Sequence, residues 1–258
     1  MFKKFTDVVA RPIGSTLDIE NNNIFNELEK SCDFEDITVG RKGQTLVDYK
    51  NELIPLVRTT TIYNKSVQSF SQIHYNIINQ IKNTIKDNNL EFNNALIEIY
   101  TNEYHKMKYH SDQSLDLDNN SYICLFTCYE NNSNDNIRKL IIKNKTTNES
   151  SYLSLDNNSI IIFSIEKNKN YLHKIILDNI KSNNRWLGIT FRLSKTFIKF
   201  INEIPYFYPN MNKILRLANS EEKITFYSCR SKENLTNNYI YPEIDYTISI
   251  SDILQIKI

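Results

Sequence analysis

His110, Ser111 and Asp112 set an imidazole and a carboxylate two residues apart. In an extended segment, residues i and i+2 point to the same side, so both side chains can bite one metal ion. Beyond Asp112 the sequence holds a single further histidine, His173, 61 residues on (173 − 112 = 61), in the run Tyr171-Leu-His-Lys-Ile-Ile. Two imidazoles and one carboxylate are the facial triad of non-haem Fe(II) oxygenases. An octahedral ion gripped on one face by three protein ligands keeps its opposite face open for a chelating co-substrate and O2. Arginine suits the far carboxylate of a dicarboxylate co-substrate, because its planar fork is always ionised and pairs bidentately. Arg185 and Arg192 flank the run that follows His173, Arg185-Trp-Leu-Gly-Ile-Thr-Phe-Arg192.

Strands must carry these residues. From residue 95 the hydrophobic period is two, and strands are expected at Ala95–Tyr100, Ser121–Tyr129, Ile137–Lys143, Ser151–Leu155, Ser159–Ile165, Tyr171–Leu177 and Trp186–Leu193. They are short, evenly spaced and separated by Asn/Asp/Ser-rich turns, the pattern of an antiparallel sandwich or barrel. Before them, Val67, Phe70, Ile73, Ile77, Ile78, Ile81 and Ile85 form one apolar stripe and predict a helix over 66–86, capped by Ser66 or Asn64. His74 beside that stripe reads as a helical histidine, not a ligand. A short helix is expected at Ile24–Lys30, a turn at 40–43, a strand at Pro55–Tyr63 and a helix near Asn210–Leu217. One long helix ahead of an all-β block predicts a sheet whose outer face the helix covers.

Composition excludes several classes. The chain has 258 residues, enough for one large domain or two small ones. Its net charge is +1, which excludes a histone-like polymer binder and an acidic tail protein but leaves a local basic groove open. Heavy use of Asn, Ile, Lys and Tyr follows AT-rich codons. The four cysteines, Cys32, Cys124, Cys128 and Cys229, form no CxxC pair, so they read as buried thiols of a reducing compartment. No apolar leader and no run of about 18 apolar residues is visible, so a cytoplasmic or nuclear protein with no membrane span is expected.

The segment Asn94-Ala-Leu-Ile-Glu-Ile-Tyr100 with His110-x-Asp112, the His173 strand and the ending Thr190-Phe191-Arg192 resembles the AlkB-like family of Fe(II)/2-oxoglutarate-dependent dioxygenases. The likeness spans roughly residues 55–197. It implies an α+β, mainly β fold, a double-stranded β-helix or jelly roll buttressed by helices. It also implies Fe(II), 2-oxoglutarate and O2, with decarboxylation to succinate coupled to oxidation of a substrate C–H bond. His110, Asp112 and His173 match the metal ligands. Tyr100 and Thr190 match co-substrate-site residues, and Arg192 matches the final arginine of the family's R-x-N-x-T-x-R ending. Two positions depart. Glu98 stands where the family usually has Asn, and Trp186 and Gly188 stand at the first Arg and the Asn of that ending. Arg192 is expected at the distal carboxylate, with Arg185 as a second anchor if the strand carries a bulge.

Other residues weigh less. His105 reads as a loop histidine or a contact near the iron mouth, and Trp186 as core or as a base-stacking platform. Arg58, Thr60 and Tyr63 lie where the resembling family builds its substrate lid. Two cationic runs, Arg138/Lys139/Lys143/Lys145 and Lys181/Arg185/Arg192/Lys195/Lys199/Lys213/Arg216, read as solvated charge or as phosphate contacts. The expected organisation is an N-terminal extension (1–54), the oxygenase jelly roll (55–200) and a C-terminal extension packed on it (201–258). The expected substrate is an N-alkylated base in DNA or RNA. A protein side chain or a small molecule on the same scaffold is the alternative, and a non-catalytic jelly-roll binding module is a third reading. Oligomeric state is not legible.

Overall fold

The structure, a computed structural model, describes residues 9–12, 24–105, 107–132, 136–178, 180 and 182–256. Its elements run β1 (Val9–Pro12), α1 (Ile24–Ser31), β2 (Glu35–Thr38), β3 (Arg41–Val47), β4 (Ile54–Leu56), β5 (Gln68–Ser69), α2 (Gln72–Ile85) and β6 (Asn94–Tyr100). Then follow β7 (Tyr122–Tyr129), β8 (Lys139–Asn144), β9 (Ser150–Ser154), β10 (Ser159–Ser164), α3 (Ile165–Asn170), β11 (Tyr171–Ile176), β12 (Trp186–Arg192), β13 (Thr196–Ile201), β14 (Ile204–Tyr208) and α4 (Ser220–Leu235).

The large sheet has the order β1-β10-β7-β12-β6-β3-β2, with β5 added beside β3. Facing it is a small sheet, β11-β8-β9. Both are antiparallel apart from the β3–β5 pair, and together they make the jelly roll. Alternation explains the two cores. On β6, Ala95, Ile97 and Ile99 join a cluster with Phe25, Leu28, Ile73, Ile77 and Ile81 from α1 and α2. Tyr100 on the opposite face, with Leu125 and Trp186, packs toward Leu140, Ile142 and Ile175 of the small sheet. The large sheet is therefore buried on both faces, and its strands read as near-continuous apolar runs. Cys124 and Cys128 belong to the helix-facing core as free thiols, whose pKa values burial pushes up. Among the described residues, no helix is long and apolar enough to cross a membrane.

Four expectations change. The helix begins at Gln72, not 66, because Gln68–Ser69 pairs in parallel with Leu46–Val47 and Phe70 N–H donates to Val47 O (2.8 Å). Its N-cap is Ser71, and the His74 imidazole accepts the Ser71 N–H (3.0 Å). The run 55–63 is a strand only to Leu56. Beyond it, side chains satisfy the backbone: Asp116 accepts Arg58 N–H (2.8 Å) and Ser249 Oγ accepts Tyr63 N–H (3.0 Å). Of 40–43, only Gly40 lies in the turn, and Arg41 opens β3. Finally, 210–217 is not a helix. It folds back on β14, Lys213 O accepting from Phe207 N–H (2.9 Å), and the helix of this region is α4.

Candidate metal centre and cleft

The triad is assembled through the main chain. His110 and His173 form an isolated antiparallel bridge, their N–H groups donating to each other's carbonyls at 3.0 and 2.6 Å. The imidazole centroids are consequently 4.5 Å apart. Asp112 is fixed next to them by Asn168 of α3, whose side-chain amide accepts Asp112 N–H (2.7 Å) and donates to Asp112 O (2.7 Å). Between them, Ser111 is held from α4: Asn234 Oδ1 accepts its N–H (3.0 Å) and hydroxyl (3.2 Å), and Arg230 donates to its carbonyl. Glu233 continues the clamp, accepting Ser114 N–H (2.9 Å) and hydroxyl (2.6 Å). Every residue of the His-Ser-Asp run thus has its backbone tied to a different element.

Ligand atoms of His110, Asp112 and His173 all lie within 4.8 Å of one another, close enough to hold one metal ion. The Nδ1–H of His110 donates to Lys108 O (3.0 Å), because a carbonyl can only accept. That fixes the tautomer and leaves Nε2 with a free lone pair. Burial, reinforced by His173, depresses the His110 pKa to about 3. Burial alone would raise the Asp112 pKa, but Arg192, His173 and His110 together outweigh it, and the carboxyl is held well below the usual range. Asp112 Oδ2 lies 3.2 Å from Arg192 Nε, at an angle that makes the contact an ion pair and not a hydrogen bond. A neutral imidazole beside an ionised carboxylate is the state a divalent cation requires.

This cluster opens into a cleft of about 570 Å³ between the two sheets. Its large-sheet wall is built at period two. β12 contributes Arg192, Thr190, Gly188 and Trp186, and β6 contributes Leu96, Glu98 and Tyr100. Phe163, Ile175 and Leu140 line the apolar side, and Arg230 and Asn234 bring α4 into the wall.

Of the residues singled out from sequence, His110, Asp112, His173, Tyr100, Thr190 and Arg192 come together here. Arg192 lines the metal end of the cleft, its Nε next to Asp112 Oδ2. The strand brings it opposite Asn94, beside the loop that carries Asp112. The Tyr100 hydroxyl is engaged inside the protein, donating to Glu98 at 2.6 Å. Arg185 is not in the cleft: it pairs with Glu29 of α1 and with Glu130 (2.7 Å), on the helix side. Arg58 is a buried strut, its guanidinium on Asp116 (2.7 and 3.0 Å) and on the carbonyls of Ile244 and Tyr246 (2.7 and 3.1 Å). Four of its five N–H donors are spent inside the protein, and the side chain does not line the cleft. Tyr63 is buried under the sheet edge, its hydroxyl 3.4 Å from Glu98. His105 stands off the cleft wall, with Nδ1 on Glu103 O (3.0 Å).

The cationic runs do not form continuous basic faces. Lys139, Lys199, Lys213 and Arg216 each meet a carboxylate, and Arg138 is buried on carbonyls of Thr101 and Tyr104. Lys145 caps α4 through Glu233 O (2.8 Å) and Thr236 O (3.1 Å). Lys181 lies outside the described residues.

Sequence reasoning missed Arg41, Arg230, Glu233 and Asn234. The signal available for α4 was Asn219-x-x-Glu222, a reciprocal capping box at its start.

No family model matches the sequence, and no curated protein matches it. Among solved structures, that of OsALKBH1 is similar at 14% identity and a TM-score of 0.45, over 72% of this chain and 97% of that one.

Proposed function

We propose that the cleft is the active site of a mononuclear non-haem Fe(II) oxygenase that uses a 2-oxo acid and O2 to oxidise a C–H bond. The observation that carries this reading is the main-chain-locked His110/Asp112/His173 cluster at one end of the cleft between the sheets. The donor set fits Fe(II): two nitrogens and one anionic oxygen on one side. When bound, the ion supplies activation of O2. The chain's own residues do the rest. Lys108 O aims the His110 ring, Arg192 keeps Asp112 ionised, and Phe163, Ile175 and Leu140 exclude water.

The near half of the cleft suits the 2-oxo carboxylate of a chelating acid, with the Arg192 guanidinium beside the ion. The far half does not fit the second carboxylate of 2-oxoglutarate, the co-substrate the sequence resemblance implies. The cation there, Arg41, is already paired with Glu98.

For the oxidised substrate the rim favours an anionic chain. Lys108 and Tyr109 line the opening, and Lys174 and Lys143 approach the Tyr109 ring at 4.4 and 5.7 Å. Cations interleaved with an aromatic ring support an N-alkylated base carried on a phosphate backbone.

The test is release of CO2 from a panel of 2-oxo acids, 2-oxoglutarate included, with Fe(II) and O2. Mass spectrometry of methylated oligonucleotides and of a peptide pool identifies the oxidised partner. Turnover present in the wild type and absent in His110→Ala supports the reading. No turnover with any acid or substrate defeats it.

A further inference from the structure

The far end of the cleft is built unlike its metal end. Gly188 stands opposite Glu98, and Trp186 opposite Tyr100. The Trp186 indole folds over Gly188, where an added Cβ would lie 2.6 Å from Cζ2, and its Nε1–H donates to Thr127 Oγ1. A ligand tail travelling along β12 from the ion therefore meets an apolar ring, which Tyr100 extends at a centroid distance of 4.8 Å.

Beside that ring sits Glu98, 9% exposed, with a closed set of donors. Arg41 Nε donates to it at 2.7 Å, the Tyr100 hydroxyl at 2.6 Å and the Tyr63 hydroxyl at 3.4 Å. The Arg41 guanidinium also reaches Thr61 Oγ1 (3.3 Å) and lies 5.6 Å from the centroid of the Tyr104 ring. Burial opposes the charge on Arg41, but Glu98 together with the phenols of Tyr100, Tyr63 and Tyr104 more than compensates, so the guanidinium stays charged. Burial and Glu98 hold both phenols well above their usual range, so both remain donors. Asp112 and Glu98 are the acidic side chains among the described residues of the wall, and Asp112 belongs to the triad.

A dicarboxylate chelating the ion would carry its second charge toward this end. There it meets a fixed carboxylate and a cation already neutralised. A tail without charge meets the indole and the Tyr100 ring and loses nothing. We infer that Glu98 is a specificity-determining residue that closes the far end of the cleft to a second carboxylate. The co-substrate of this centre is then a 2-oxo acid with an uncharged tail, an inference that rests on the metal-centre reading above.

Trp186 is the only tryptophan of the chain, so its fluorescence reports the cleft directly. The experiment loads the full chain with Mn(II), verifies uptake by electron paramagnetic resonance, and titrates 2-oxoglutarate and 2-oxo-4-methylpentanoate separately against Trp186 emission. The expected result is wild-type binding of the uncharged-tail acid at least about tenfold tighter than 2-oxoglutarate, with Glu98→Gln narrowing the ratio to about twofold, since like charges at close quarters are strongly disfavoured. Wild type preferring 2-oxoglutarate, or binding neither acid, overturns the inference while Mn(II) uptake keeps the metal centre. A ratio unchanged in Glu98→Gln also overturns it. No Mn(II) uptake defeats the metal reading and this inference together.

Discussion

His110 and His173 are joined backbone to backbone, each N–H on the other's carbonyl, across 63 positions of sequence (173 − 110 = 63). The pairing pins the loop that carries His110 to β11 and brings the two imidazoles together, and Lys108 O then sets the His110 ring. An alanine at either position keeps the bridge and removes only the ring, which makes these variants clean tests of the chemistry.

The clamp from α4 predicts a role at a distance. Asn234→Ala frees Ser111 N–H and hydroxyl, and the tripeptide gains freedom at its middle residue. Metal affinity is expected to fall by about tenfold, as for other partners that orient ligands, with the circular dichroism spectrum unchanged. Isothermal titration with Mn(II) measures it, and unaltered affinity would show that α4 does not position the loop.

Two arginines separate by place. Arg185→Ala removes part-exposed pairs with Glu29 and Glu130 and is expected to cost about 1 kcal/mol or less. It should leave metal and 2-oxo acid binding untouched. Arg192→Ala should weaken 2-oxo acid binding, because Arg192 is the cation beside Asp112. Equal effects of the two variants on binding would contradict the placement.

Arg58→Ala is a stability variant. Both partners of the Arg58–Asp116 pair are nearly inaccessible, at 4% and 1%. Stranding Asp116 is expected to cost about 3–5 kcal/mol in urea unfolding. A folded variant of wild-type stability would mean the strut is dispensable.

How much of this was legible in the sequence divides along physical lines. The limits of the strands from 94 to 192 match within a residue or two, because Asn/Asp/Ser-rich turns bound each apolar or alternating run. The triad was legible because only one histidine, His173, follows His110-x-Asp112 and it falls in a strand-like run, which leaves a single choice for the second imidazole. The α2 start was misplaced because Val67 and Phe70 are buried from a strand-like entry that happens to fall at helical spacing. Arg185 and Arg58 were misassigned because sequence gives a cation's presence and not its partner. Glu29, Glu130 and Asp116 are 156, 55 and 58 residues away from the arginines they hold. Helix α4 was missed because its buried face includes Arg230 and Glu233 and so shows little apolar period.

His74 predicts an acid dependence of stability. Its Nδ1 accepts the Ser71 N–H, which an imidazolium cannot do, and burial lowers its pKa from 6.5 to about 4. The unfolded chain takes up a proton near pH 6.5 and the folded chain does not until about pH 4, so this contribution is complete above 6.5 and is lost as pH falls toward 4. Between pH 7 and 4.5 the His74→Gln variant should lose about 2 kcal/mol less than wild type in urea unfolding. Parallel pH profiles of the two proteins would rule the mechanism out.

The central claim is that His110, Asp112 and His173 hold one divalent ion. Anaerobic Fe(II) binding to the full chain, measured by equilibrium dialysis for wild type and His110→Ala at neutral pH, tests it most directly. The account predicts a single equivalent in the wild type and an affinity weaker by about 100-fold or more in the variant. Sub-stoichiometric binding by the wild type, or equal binding by both, would contradict it.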